Sequence, residues 1–227
     1  EVAARAAAGV PHGKRRDRQA RARHDEERAR VQRGGGREAA RHGHQRARAL
    51  GPDAPADVAS TTTSIDYPKR VRIESVIRGT TVLQVFDGTR AWVRDPNGVH
   101  DVPDEMLQEF RTGLRRDTLS LLRSALDGRT RVRRLPDSHD EHGAPLQALE
   151  FTAADLDPLV MYVDAATGLV VKQTYTVGGM GSALVEELFS DYRVVDGLQV
   201  NFAASVRVGG ELALERTVRD VRVDAAL

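Results

Sequence analysis

The densest run of metal-ligating side chains is His139-Asp140-Glu141-His142. Two imidazoles and two carboxylates could hold a divalent cation if a rigid element aligned them. The run is one residue short of the inverted zinc-protease motif H-x-x-E-H, and the H-E-x-x-H form is absent. It stands in a polar stretch, residues 137–143, with no helix to present both imidazoles, so it reads as a solvated turn without metal or cofactor. Asp155 and Asp157 could pair as carboxylates, but Leu156 and Pro158 suggest a turn there. Gly178-Gly179-Met180-Gly181 is too short for a nucleotide loop and lacks a following helix, which leaves a hinge or bulge. No G-x-S-x-G elbow and no G-x-x-x-x-G-K phosphate loop occurs. Cysteine is absent, which removes thiolate sites and disulfides together. Acid, base and nucleophile candidates do not converge. The expectation is a protein that is not an enzyme.

What the sequence does organise is apolar surface. From Pro103 to Leu126, the residues Met106, Leu107, Phe110, Leu114, Thr118, Leu121, Leu122 and Ala125 recur at steps that keep them on one helix face. Asp104 and Glu105 suit the positive end of that helix, and Asp127-Gly128 suits its stop. From Ile65 onward the rest alternates at period two between turn pairs such as Asp87-Gly88, Asp95-Pro96-Asn97-Gly98, Asp196-Gly197 and Gly209-Gly210. About ten or eleven short strands in a meander are expected, too many to lie flat. The fold class is therefore mainly β (α+β): a strongly curved antiparallel half-barrel with one inserted amphipathic helix, about 103–126, over its concave face.

Residues 1–64 differ in kind. Residues 1–50 hold 14 basic and 6 acidic side chains, whereas the other 177 hold 20 and 27. The first 64 contain no aromatic residue, and before Gly51 the large aliphatics are Val2, Val10, Val31 and Leu50. Such a segment buries too little apolar surface to offset its ordering entropy. The domain reading is a low-complexity basic arm, 1–64, unstructured or partly helical, followed by one domain, 65–227. Text rich in Arg, Ala, Gly and His is also what a GC-rich gene yields in a wrong frame, which translation of all frames of its DNA would test. Nucleic acid is a poor partner for the arm, since no aromatics interleave with its arginines.

Four segments carry a resemblance. Phe86-Asp87-Gly88-Thr89-Arg90-Ala91-Trp92 resembles the D-G-x-x-x-W strand-turn-strand of LolA-like proteins, the outer-membrane lipoprotein-sorting group. Asp66-Tyr67-Pro68-Lys69-Arg70-Val71-Arg72 is similar to the strand opening before it. Tyr162 to Val170 resembles the D-x-x-T-G-L-P hairpin, with Val170 where Pro is common. Asp191 to Leu198 is similar to the D-Y-R-x-V-D-G hairpin near the C-terminal end. Together with a helix like 103–126, they resemble domains found beside pitrilysin-type zinc proteases in bacterial envelope proteins. The resemblance covers about 65–227. It implies a half-barrel with a hydrophobic cavity for acyl chains and a place in the periplasm or cell envelope. It also implies a helix and a strand before Asp66, which residues 1–64 do not show as sequence.

The leading functional expectation is a non-enzymatic envelope protein that binds lipoprotein acyl chains or another hydrophobic ligand under the helix. Trp92, Met106, Leu107, Phe110, Leu114 and Leu121 are the expected wall; a closed, filled core is the competing outcome. The alternative is a protein-binding accessory domain of an envelope protease or complex. A third is nucleic-acid or anionic-surface binding through the arm. No apolar run reaches the roughly 20 residues of a transmembrane helix. No secretory signal is visible in a chain that starts at Glu1.

Overall fold

The computed structural model describes residues 38–48, 56–178 and 182–223, with residues 38–48, 56 and 57 described by their backbone. Six strands come first: β1 (Glu38–Arg48), β2 (Ala56–Asp66), β3 (Arg70–Ile77), β4 (Thr80–Phe86), β5 (Ala91–Asp95) and β6 (Gly98–Asp101). Two helices follow, α1 (Asp104–Arg116) and α2 (Thr118–Leu126). The chain then returns through β7 (Arg131–Arg134), β8 (Ser138–His139), β9 (Pro145–Ala153), β10 (Leu156–Asp164) and β11 (Val170–Val177). It ends with β12 (Ala183–Val195), β13 (Leu198–Val208) and β14 (Glu211–Val223).

All the strands join one antiparallel sheet, in the order β6-β5-β4-β3-β2-β1-β14-β13-β12-β11-β10-β9-β7, with β8 beside β9. The chain meanders outward from β1 to one edge at β6, and resumes at the other edge with β7. Between them it has only 103–130 with which to cross. A crossing over one face of a curved sheet is what those residues must make. An amphipathic helix buries its apolar stripe there, on the concave side of a half-barrel.

The helix is two helices. Asp117 adopts φ −58° and ψ 134°, and its carboxylate accepts from the backbone N–H of Leu119 at 3.0 Å and of Ser120 at 3.3 Å. Aspartate is a strong N-cap, so it closes α1 and opens α2 in place of one continuous rod. The start and stop match the expectation: Asp104 and Glu105 fill the first turn of α1, and Gly128, at φ 72°, follows the end of α2. Asp117→Ala should cost about 0.5–2 kcal/mol, read as a lowered urea midpoint at unchanged slope.

Aspartates also set the turns. The Asp87 carboxylate accepts from Arg90 and Thr89 N–H, Asp95 from Asn97, Asp140 from Ala144 and His142, and Asp164 from Thr167 and Ala166. These backbone donors hold each carboxyl below its ordinary value of 3.8. The stabilisation is present above that value and is lost as pH falls through the lower folded-state values.

One expectation needs correction. Residues 38–48 and 56–64 are not part of an unstructured arm. β1 pairs along its whole length with β2, from Glu38 opposite Asp66 to Arg48 opposite Ala56, and on its other side with β14. The strand missing from the sequence reading before Asp66 is therefore supplied, and in the interior of the sheet. A stretch reading EAARHGHQRAR carries no apolar alternation to betray a strand; its neighbours' backbones impose one. Residues 1–37 lie outside the described residues, as do Gly179, Met180 and Gly181 of the expected glycine break.

Candidate ligand-binding site

Strand alternation and register decide which side chains meet the helices. On the first half of the sheet, Ile65, Tyr67, Val71, Phe86 and Ala91 form a buried cluster with Leu114 of α1, and Leu107 and Phe110 pack against it. The Phe110 ring lies parallel to that of Phe86, with centroids 6.1 Å apart and 4° between planes. On the second half, Leu149, Phe151, Leu156, Leu159, Met161, Val163, Val170, Phe189 and Ala204 cluster with Leu121 of α2, flanked by Leu122 and Ala125. A third cluster, Val200, Phe202, Val218 and Val221, lies on β13 and β14 between these halves. The covered face is thus apolar from one half of the sheet to the other.

Of the expected wall residues, the structure brings Leu107, Phe110 and Leu114 together and places Leu121 in the second cluster. Met106 is exposed and Trp92 falls elsewhere. Trp92 pairs across β4 with Val85, while its neighbour Ala91 pairs with Phe86 of the helix-facing cluster. Successive strand residues point to opposite faces, so Trp92 sits on the sheet face away from the helices and leaves the wall. Its size and its place in the D-G-x-x-x-W run suggested the wall; a one-residue parity decided otherwise.

Three arginines fasten α1. Arg111 donates to the Thr89 carbonyl at 3.1 Å, at the β4–β5 turn. Arg115 pairs with Asp155 in the β9–β10 turn. The Arg116 guanidinium lies over the Tyr175 ring, 4.2 Å from its centroid. Tyr175 donates its hydroxyl to Glu187 Oε1 at 2.8 Å. Burial first, then the Glu187 charge, pushes the Tyr175 phenol above its ordinary value, with Arg116 pulling the other way. Tyr175 therefore stays protonated as a donor. Gln173 stands directly across from Glu187 on β12 and from Met161 on β10, is 3% exposed, and its Oε1 has no hydrogen-bond partner. Arg116 Nε and Ser120 Oγ are likewise buried and unpartnered. Sequence reasoning missed this group because its members come from a helix end and two strands, with no shared spacing. Nothing in the local sequence of β11, VVKQTYTV, marks Gln173 as buried.

The His139–His142 run forms the expected turn: His139 lies in β8 opposite Pro145, and the Asp140 carboxylate accepts from backbone amides. Among the described residues no group of three or more His, Asp or Glu is placed to hold a metal ion. Asp155 and Asp157 do not act as a pair: Asp155 is bound to Arg115 and Asp157 belongs to β10. No described helix is long and apolar enough to cross a membrane.

No protein-family model and no curated protein matches the sequence. Solved structures do match in shape. A domain named for outer-membrane lipoprotein sorting, from Vibrio parahaemolyticus, superposes with a TM-score of 0.56 at 14% identity, covering 89% of this chain and 92% of that one. A DUF1329 family protein from Desulfovibrio piger gives 0.57 at 16% identity, covering 87% and 90%. A LolA superfamily protein from Nitrosomonas europaea gives 0.55 at 12%, covering 82% and 85%. At such identities the likeness is one of fold. Four turn segments read from the sequence and a helix pair laid over one face of the sheet point the same way, and the chain has a LolA-like fold.

Proposed function

We propose that this protein is a non-enzymatic carrier of the bacterial cell envelope, sheltering lipoprotein acyl chains or another hydrophobic ligand between the helix pair and the sheet. One observation carries the reading: a broken helix pair spans an apolar face, and its first half is only lightly seated. Leu114 is the one buried side chain of α1; Leu107 and Phe110 are only partly buried against the cluster, and Arg111 and Arg115 add exposed contacts. Contacts of that kind contribute about 0–1 kcal/mol each. The break at Asp117 gives α1 a joint at which to lift, whereas Leu121 keeps α2 in place. An acyl chain entering under α1 would exchange one apolar neighbour for another. Likeness to envelope lipoprotein-sorting folds supports both the ligand class and the location.

A second reading, a protein-binding accessory domain, is favoured by Leu184 and Leu188, 50% and 39% exposed on β12. They belong to the parity of Glu186, opposite to that of buried Val185 and Phe189. A partner could cover them without entering the helix-covered face.

Native mass spectrometry of protein purified from cells should show a co-purified lipid, and delipidated protein should bind the neutral apolar dye N-phenyl-1-naphthylamine with micromolar affinity. No lipid together with no dye binding would leave a filled core and remove the carrier reading.

A further inference from the structure

Polar groups inside an apolar face are costly unless something pairs with them. Gln173 Oε1 and Arg116 Nε are buried without partners, on the face that the helices cover. A buried amide oxygen left unsatisfied keeps the full cost of its lost hydration. The two groups belong to one patch. Gln173 and Glu187 are cross-strand neighbours on β11 and β12, Tyr175 lies two residues along the same face, and Arg116 stacks on Tyr175. Around it stand Phe151, Leu159 and Met161, each fully buried.

Within the patch Gln173 Oε1 is an unpartnered acceptor and Arg116 Nε–H an unpartnered donor. An amide carries both complements: its N–H gives to Gln173 and its carbonyl takes from Arg116. An ester carries the carbonyl alone. Charge decides against a carboxylate. Within the patch the Glu187 carboxylate faces one arginine, Arg116, whose guanidinium already lies over the Tyr175 ring. Glu187 already holds the Tyr175 hydroxyl, so a ligand carboxylate would add a like charge in a place of low polarity.

Resting on the carrier reading, we propose that Gln173 and Arg116 form a polar anchor for the neutral amide or ester link of an acylated ligand, and that the site selects such ligands over free fatty acids. The acyl chain runs along the apolar clusters, and the link stops at the patch.

The test compares oleamide, methyl oleate and oleate as competitors of N-phenyl-1-naphthylamine on the full chain. Oleamide should compete about tenfold more strongly than oleate, the worth of roughly one buried hydrogen bond. Gln173→Leu should weaken oleamide by about tenfold, leave methyl oleate unchanged, and hold or raise the melting temperature, because it deletes an unpaired polar atom. Arg116→Met, which keeps an apolar stem, should weaken oleamide and methyl oleate together. Equal competition by all three ligands, or unchanged oleamide binding by Gln173→Leu, overturns the anchor while leaving the carrier standing. Dye binding absent from the wild type overturns both.

Discussion

Leu121→Ala should destabilise the protein by about 2–5 kcal/mol, the largest loss expected from any single truncation on the helices. Leu121 is 1% exposed and sits among Leu149, Phe151, Leu159 and Met161, the other largest fully buried side chains. Removing three carbons there leaves a cavity bounded by strands that are paired on both sides, so the walls cannot close in. Against a total of about 5–15 kcal/mol for a domain, the loss takes a large share. Urea unfolding gives the number directly. Leu114→Ala on α1 should cost less, since Leu114 is 8% exposed and its helix can settle. A Leu121 loss smaller than that of Leu114 would mean that α2 is not the fixed half of the crossing.

Phe110→Asp should abolish apolar-dye binding while the protein stays folded. Phe110 is half-buried on α1, stacked on Phe86, and packs against the cluster around Leu114. Aspartate there forfeits the ring pair, about 0.5–1.5 kcal/mol, and part of the side chain's burial, about 1–2 kcal/mol. It does not strand a carboxylate, because a half-buried position keeps access to water. The cost to stability stays within a few kcal/mol, which circular dichroism melting would show as a modest shift. The cost to a ligand is larger, since a charge now stands where an apolar chain would lie. A folded variant that binds dye as tightly as wild type would remove Phe110 from the site. Unfolding of the variant, with no dye binding by wild type, would establish a filled core.

The two predictions treat α1 and α2 separately, a division that rests on one residue. Asp117 was present in the sequence within an otherwise unbroken apolar stripe, flanked by Arg116 and Thr118. Periodicity alone carries the helix through it, because Leu114, Thr118 and Leu121 keep the step. The carboxylate instead turns to the amides of Leu119 and Ser120. Local capping won over periodicity at that point. The stripe on either side was legible, and so were the first turn and the glycine stop.

Turn chemistry was legible throughout, because an aspartate followed by suitable residues closes its own turn with its own backbone. Asp87, Asp95, Asp140 and Asp164 each do so, and these turns, with the strands between them, determined from sequence alone that the body is an antiparallel meander with a helical crossing. Non-local facts were decided only by the tertiary structure. The strand Glu38–Arg48 lacks any apolar pattern and takes its place from β2 and β14. Trp92 left the wall by a parity set in its pairing with Val85. Gln173, Arg116, Tyr175 and Glu187 came together from a helix end and two adjacent strands. Capping, alternation and turn preference act over a few residues and are written in the order of the chain. Register, parity across a sheet and the meeting of distant polar groups are set by pairing between segments far apart in sequence, and no local pattern carries them.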